Sequence, residues 1–167
     1  MSNVADRQYP VNEMGPESAA RTPAGDAFSG LVVRLFRLNG LIAAEGEMLA
    51  KPAGQTSARW QVLAMIEEAP LTVAQIARTL GLARQSVQRI ADALEGAGLV
   101  RYEDNPRHRR ARLATLTEEG RATLTTIQTA QRPWADTLGA AIGERDLRRA
   151  VTVLDRVLEV MAPRRSR

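Results

Sequence analysis

Leu71-Thr72-Val73-Ala74-Gln75-Ile76-Ala77-Arg78-Thr79-Leu80-Gly81-Leu82-Ala83-Arg84-Gln85-Ser86-Val87-Gln88-Arg89-Ile90-Ala91-Asp92-Ala93-Leu94-Glu95-Gly96-Ala97 is the stretch that decides the fold. Thr72 and Gln75 have the spacing of a capping box. The Thr hydroxyl accepts from the Gln75 N–H, and the Gln side chain accepts from the Thr72 N–H. Leu71 and Ile76 flank the cap as a hydrophobic staple. A helix therefore starts near Val73, and Gly81 ends it. In the second helix, which begins at once, Val87, Ile90, Ala91 and Leu94 recur at helical spacing. Its other face carries Arg84, Gln85, Ser86, Gln88 and Arg89, with no carboxylate among them. Two helices around a tight Gly turn, the second cationic outside, describe a helix-turn-helix. Any helical hairpin with a solvated face is the plainer alternative, because short motifs also match by chance.

The segment after the second helix narrows the choice. Gly98-Leu99-Val100-Arg101-Tyr102-Glu103 and Ala111-Arg112-Leu113-Ala114-Thr115-Leu116-Thr117 are β-compatible, with Val100/Tyr102 and Leu113/Thr115 at alternating positions. Asp104-Asn105-Pro106 between them favours a turn. A hairpin after a helix-turn-helix is a wing. Arg101, Arg107, Arg109, Arg110 and Arg112 face only Glu103 and Asp104 in this segment. Arginine suits planar phosphate contacts and narrow minor grooves. A basic helix beside a basic wing points to nucleic acid, whereas a merely solvated turn does not call for arginines at its tip.

Residues of about 57–120 resemble the winged helix-turn-helix core of the MarR (multiple antibiotic resistance regulator) family. The likeness is carried by Arg59-Trp60-Gln61-Val62-Leu63, by Gln75-Ile76-Ala77-x-x-Leu80-Gly81-Leu82 and by Leu94-Glu95-x-x-Gly98-Leu99-Val100-Arg101. Arg109-Arg110-Ala111 and Leu116-Thr117-x-x-Gly120 complete it. With the flanking helices it extends over about 26–162. It implies a homodimeric repressor or activator whose DNA affinity responds to a small molecule. One position departs from the family. An Asp often precedes the paired basic residues of the wing and holds an Arg in place, and here that position is His108. Either another group orients Arg110 or the wing is looser. His108 is read both as a phosphate contact and as exposed loop.

Composition bounds the rest. The chain has 167 residues, 44% of them hydrophobic, enough for one domain or for one domain with an appended dimerisation region. Its net charge of +4 favours an anionic partner. Lys51 is the only lysine, so the location of the arginines carries more weight than their total. With no Cys and one His, disulfide scaffolds, thiol redox sensing and Cys-based zinc sites are excluded, and no metal or cofactor is expected. No apolar run is read as approaching the ~20 residues of a membrane span. The N-terminus shows no signal pattern, so a cytoplasmic location and no membrane partner are expected.

The fold expected is mainly α, an α+β winged helix-turn-helix with long N- and C-terminal helices forming a dimerisation region. Residues 1–25, with Pro10, Pro16 and Pro23, read as a flexible arm. Asp26 is a candidate N-cap for a dimerisation helix over 26–50, with Phe28, Leu31, Val32, Leu35, Leu38, Ile42 and Leu49 in its stripe. The winged domain occupies 56–117. It opens with a helix over Ala58–Glu68, capped by Thr56 or Ser57. Thr117 caps C-terminal dimerisation helices over 117–162. Pro133 predicts a kink near Thr129–Pro133 or two helices meeting there. The last helix carries Leu147, Val151, Leu154, Val157, Leu158 and Met161 on a wide apolar face. Residues 163–167 form a basic tail.

The two terminal stripes exceed what a small winged domain covers, and a symmetric pair is the economical solution. It sets two recognition helices roughly 34 Å apart on a pseudo-palindromic operator. The candidate contacts to double-stranded DNA are Arg84, Gln85, Ser86, Gln88 and Arg89 in the groove, and Arg107, His108, Arg109 and Arg110 at backbone or minor groove. Arg prefers guanine N7/O6 and Gln prefers adenine N6/N7 in bidentate geometry, and the sequence leaves open which of the five groove residues read bases and which hold phosphate. Trp60 and Trp134 are candidates to line a pocket for a small amphipathic or aromatic effector, with plain core as the competing reading. No nucleophile–base pair, carboxylate dyad or phosphate loop supports an enzyme. A winged-helix interaction module that has lost DNA binding remains the alternative.

Overall fold

The computed structural model describes residues 21–108 and 110–162. Most of the expected arm, Arg109 and the basic tail lie outside the described residues. The element order is α1 (Pro23–Ala50), α2 (Ser57–Met65), β1 (Leu71–Thr72), α3 (Val73–Leu80), α4 (Arg84–Gly96), β2 (Val100–Glu103), β3 (Leu113–Leu116), α5 (Glu118–Ile142) and α6 (Glu144–Met161). The chain divides into two units, one ending at Ile42 and one starting at Ala43.

In the first unit, α1 starts earlier than expected. Thr22 Oγ1 accepts from the Gly25 N–H at 3.0 Å, and Pro23 takes the first helical position. Asp26 lies inside the first turn instead of capping it. Proline fits there because its missing N–H is one that no helix uses. A second expectation also fails. The helical run Pro23–Ala53 is long and apolar enough, by length and composition, to cross a membrane. Arg34 and Arg37 interrupt its apolar letters, which hid it. A charged side chain at a bilayer centre costs about 2.5–3.5 kcal/mol on the insertion scale.

The core of the second unit is the helix-turn-helix itself. Val62, Leu63 and Ile66 near α2, Val73, Ile76 and Ala77 of α3, and Val87, Ala91 and Leu94 of α4 are buried together with Leu99, Val100, Ala114, Leu116 and Leu124. Each large side chain so buried stabilises by roughly 1.5–3 kcal/mol. The capping box is complete: Thr72 Oγ1 accepts from the Gln75 N–H, and Gln75 Oε1 accepts from the Thr72 N–H at 2.8 Å. Gly81 ends α3 with φ 66°, a left-handed conformation that lets the chain reverse into α4. Thr56 caps α2, which ends at Met65, before the expected Glu68.

The sheet has the order β1-β3-β2, antiparallel throughout. Leu71 pairs with Ala114, and Val100 with Leu116. Strand β1 has only two residues, too few to show an alternating pattern. At the base of the wing, the Thr117 N–H donates to the Leu99 carbonyl (3.1 Å) and the Thr117 hydroxyl to the Gly98 carbonyl (2.7 Å). Thr117 Oγ1 also accepts from the Gly120 N–H, which caps α5. A Cβ on Gly120 would stand 2.0 Å from the Leu99 carbonyl oxygen. That close approach explains the glycine of Leu116-Thr117-x-x-Gly120.

Helix α5 runs through Pro133 as one element, so of the two expected outcomes, a kink or two helices meeting there, the division into two helices does not occur. Proline leaves the Thr129 carbonyl without its helical donor; Thr129 is exposed, so water can replace that donor. Gln128 Nε2 donates to the Glu67 carboxylate at 2.8 and 2.9 Å and ties α5 to the segment after α2. Helix α6 has no buried residue in the single chain.

Candidate nucleic-acid interface

The site is built on α4 and the β2–β3 hairpin. No side chain caps α4, because Ala83 stands at the N-cap. The first N–H groups of α4 are thus left for water or an anion. Arg84, Gln85 and Arg89 are exposed, while Ser86 and Gln88 are half-buried. Arg84, Gln88, Asp92 and Glu95 recur along one face of α4. They line a concavity of about 290 Å³ with Tyr102, Arg110 and Arg112. The helix surface is therefore not free of carboxylates. Its N-terminal half is cationic, and Asp92 and Glu95 make the C-terminal half of this face acidic.

The hairpin tip is folded by Asn105. Its Nδ2 donates to the Ala111 carbonyl at 2.9 Å, and its Oδ1 accepts from the Arg107 N–H at 3.0 Å. The backbone adds His108 N–H to the Asn105 carbonyl and Ala111 N–H to the His108 carbonyl. His108 and Arg107 are exposed and line a second concavity with Arg78 of α3. The tip is thus folded by a turn-forming Asn105, three residues before His108, the position where an acidic brace was looked for. Arg109 lies outside the described residues, and Arg110 is exposed.

Two of the hairpin arginines do other work. Arg101 pairs with Glu103 at 2.8 Å. Arg112 donates to the Tyr102 carbonyl at 2.8 Å, with its guanidinium 5.1 Å from the centre of the Tyr102 ring. Among the described residues, no ion pair involves Arg84, Arg89, Arg107 or Arg110. These four retain their full charge for a partner.

Asp92, Tyr102, Arg112 and Asn105 were not among the expected site residues. Gln88 Nε2 donates to Asp92 Oδ1 (2.7 Å) and to the Tyr102 hydroxyl (3.0 Å), and that hydroxyl donates to Asp92 Oδ1 (3.1 Å). Burial, then the Asp92 hydrogen bond and charge, push the Tyr102 hydroxyl up to about 12. It stays protonated and donating at neutral pH. Gln88 and Asp92 are one helical turn apart, which was legible, but Tyr102 joins them only through the fold. Of the two tryptophans, Trp60 packs against the core and Trp134 is half-buried on α5.

Comparison with known proteins places this architecture. The MarR family model matches residues 53–111. The uncharacterized protein Rv2011c of Mycobacterium tuberculosis is 45% identical over 102 residues, which span 61% of this chain and 71% of that protein. The transcriptional regulator BldR from Sulfolobus solfataricus superposes with a TM-score of 0.75 at 18% identity, over 84% of this chain and 100% of BldR. The transcriptional repressor CouR bound to a 23-mer DNA duplex superposes with a TM-score of 0.66 at 28% identity, over 84% of this chain and 99% of CouR. With its helix-turn-helix, its arginine-bearing wing and its flanking long helices, the chain belongs to the MarR family of winged helix-turn-helix transcription regulators.

Proposed function

We propose that this chain is a sequence-specific DNA-binding repressor that grips a pseudo-palindromic operator as a homodimer in the cytoplasm and is released by a small aromatic or amphipathic effector. One observation carries the reading. Arg84 at the start of α4 and Arg110 of the wing line the same concavity, and neither is paired with a carboxylate among the described residues. Helix α4 enters the major groove with Arg84, Gln85, Ser86, Gln88 and Arg89. Arg107, His108, Arg109 and Arg110 run along the backbone or the minor groove and position the helix. The structure of CouR on duplex DNA supports the docking mode.

Exposed apolar surface supports the homodimer. On α1, Val33, Phe36, Leu41 and Met48 are exposed, and on α6, Val151, Leu158, Val160 and Met161. Patches of this kind mark interaction surfaces. A second copy covers both helices and presents two α4 helices to successive turns of DNA. For the effector, the support is that CouR from Rhodococcus jostii RHA1 is bound to p-coumaroyl-CoA in another of its structures. A ligand of this aromatic class acts here only if it favours one spacing of the two α4 helices. Trp60 and Trp134 are the candidate reporters, and no change in their fluorescence with a ligand that releases DNA removes both.

The reading is tested by selecting bound sites from random duplexes and titrating the winner by fluorescence anisotropy at several salt concentrations. Arg110→Ala is expected to weaken binding across sequences and to reduce the slope of log K against log salt by about 0.9 for each phosphate that the variant no longer neutralises. An unchanged slope removes Arg110 from the interface. Failure to bind any duplex at low salt overturns the reading and favours an interaction module.

A further inference from the structure

We propose that Asp92 and Tyr102 lock the side-chain amide of Gln88 so that it offers the groove only its carbonyl oxygen, and that one position in each half-site therefore selects adenine or cytosine over guanine and thymine. This deepens the DNA-binding reading and rests on it.

A free glutamine amide has two N–H donors and one carbonyl acceptor, and its terminal torsion turns readily. It can therefore meet adenine N6 and N7 with both edges at once. Gln88 is not free in this sense. Its nitrogen stands 2.7 Å from Asp92 Oδ1, and a carboxylate only accepts, so the atom facing it must be the N–H2 group. The Tyr102 hydroxyl gives its own proton to Asp92, and its oxygen accepts the second Gln88 N–H. With one Gln88 N–H assigned to Asp92, the other to the Tyr102 oxygen and the hydroxyl proton to Asp92, the three groups close a ring in which every donor is used. Among the described residues, no hydrogen bond engages Gln88 Oε1. Arg112 fixes the far side of the ring by its bond to the Tyr102 carbonyl and its guanidinium over the tyrosine.

An acceptor-only reader discriminates by chemistry. In the major groove, cytosine N4 and adenine N6 are donors, whereas guanine O6 and thymine O4 are acceptors. A carbonyl oxygen meets the first pair with a hydrogen bond and the second with lone-pair repulsion. Bidentate reading of adenine by Gln88 is excluded while the ring is intact. Asp92 and Tyr102 are positioning residues, because they act through Gln88 and do not touch the base.

The test is site selection from random duplexes with wild type, Gln88→Ala and Asp92→Asn, followed by titrations on duplexes carrying each base at the affected position. Gln88→Ala identifies that position by losing its preference. Wild type is expected to favour A or C there by about fivefold or more. Asparagine at 92 keeps the size but can donate as well as accept, so the Gln88 amide can turn over. Asp92→Asn is expected to bring the preference at that one position to within about twofold, leaving the others unchanged. A variant that was merely destabilised would lose affinity at every position alike. The inference is overturned if Asp92→Asn keeps the wild-type preference, if Gln88→Ala alters no position, or if the affected position selects G or T. Wild type failing to bind any duplex overturns the DNA reading itself, an outcome distinct from these.

Discussion

Gly120→Ala is expected to destabilise the protein by about 3 kcal/mol, although alanine in a helix ordinarily stabilises relative to glycine by up to ~1 kcal/mol. The added methyl would lie 2.0 Å from the Leu99 carbonyl oxygen and 3.2 Å from Leu116 Cδ2, where ordinary contact begins at 3.4 Å. Either that carbonyl or the first turn of α5 must move by more than an ångström. The carbonyl accepts the Thr117 N–H at 3.1 Å, and its neighbour at Gly98 accepts the Thr117 hydroxyl at 2.7 Å. The movement therefore weakens a backbone hydrogen bond and a helix cap, about 1 kcal/mol each, on top of an overpacking cost of ~1–3 kcal/mol. For a chain of this size 1 kcal/mol shifts Tm by roughly 2–4 °C, so the fall is about 6–12 °C. Circular dichroism melts read it, at one fixed protein concentration because the Tm of the proposed dimer depends on concentration. Gly96→Ala at the end of α4 is the control. A Cβ there meets nothing within 4 Å, so it should leave Tm unchanged or raise it slightly. A Gly120→Ala melt within about 2 °C of wild type would show that the junction of wing and α5 yields freely, and would refute the close-approach account.

The Thr115 hydroxyl is buried without a hydrogen-bond partner, so Thr115→Val should stabilise by ~1 kcal/mol in urea unfolding; a loss of stability would mean the hydroxyl has a partner, such as a bound water. Tyr102 has its hydroxyl pushed up to about 12 from the ordinary 10.0. A raised folded-state value means this contribution is complete below pH 10 and is lost as pH rises toward 12. The stability advantage of wild type over Tyr102→Phe should shrink over that interval, and a difference constant from pH 9 to 12 contradicts the assignment. Leu158 is two-thirds exposed in the single chain, so Leu158→Glu should leave the monomer folded but shift sedimentation from dimer to monomer. A variant still dimeric at micromolar concentration places the interface elsewhere.

Local rules settled much of this protein from its letters. The Thr72–Gln75 box, the Gly81 reversal, the period of Val87, Ala91 and Leu94, and the Asn-Pro turn of the wing depend on neighbours within about six residues, and such interactions are written in spacing. Where the letters misled, the deciding partner was distant or the pattern too short. Strand β1 exists because β3, far along the chain, supplies its hydrogen bonds, with Ala114 opposite Leu71. Arg112 counts as wing charge in the sequence but is engaged by Tyr102, across the hairpin, in the fold. Asp92 and Glu95, on the same face of α4 as Arg84 and Gln88, were legible from helical spacing, and the expected carboxylate-free surface overlooked them. Gln88 shows the difference most plainly. Sequence placed it on the outward face of a helix, but only packing β2 beside α4 brought Tyr102 to it, and a hydrogen-bond direction is set by the groups that meet in space.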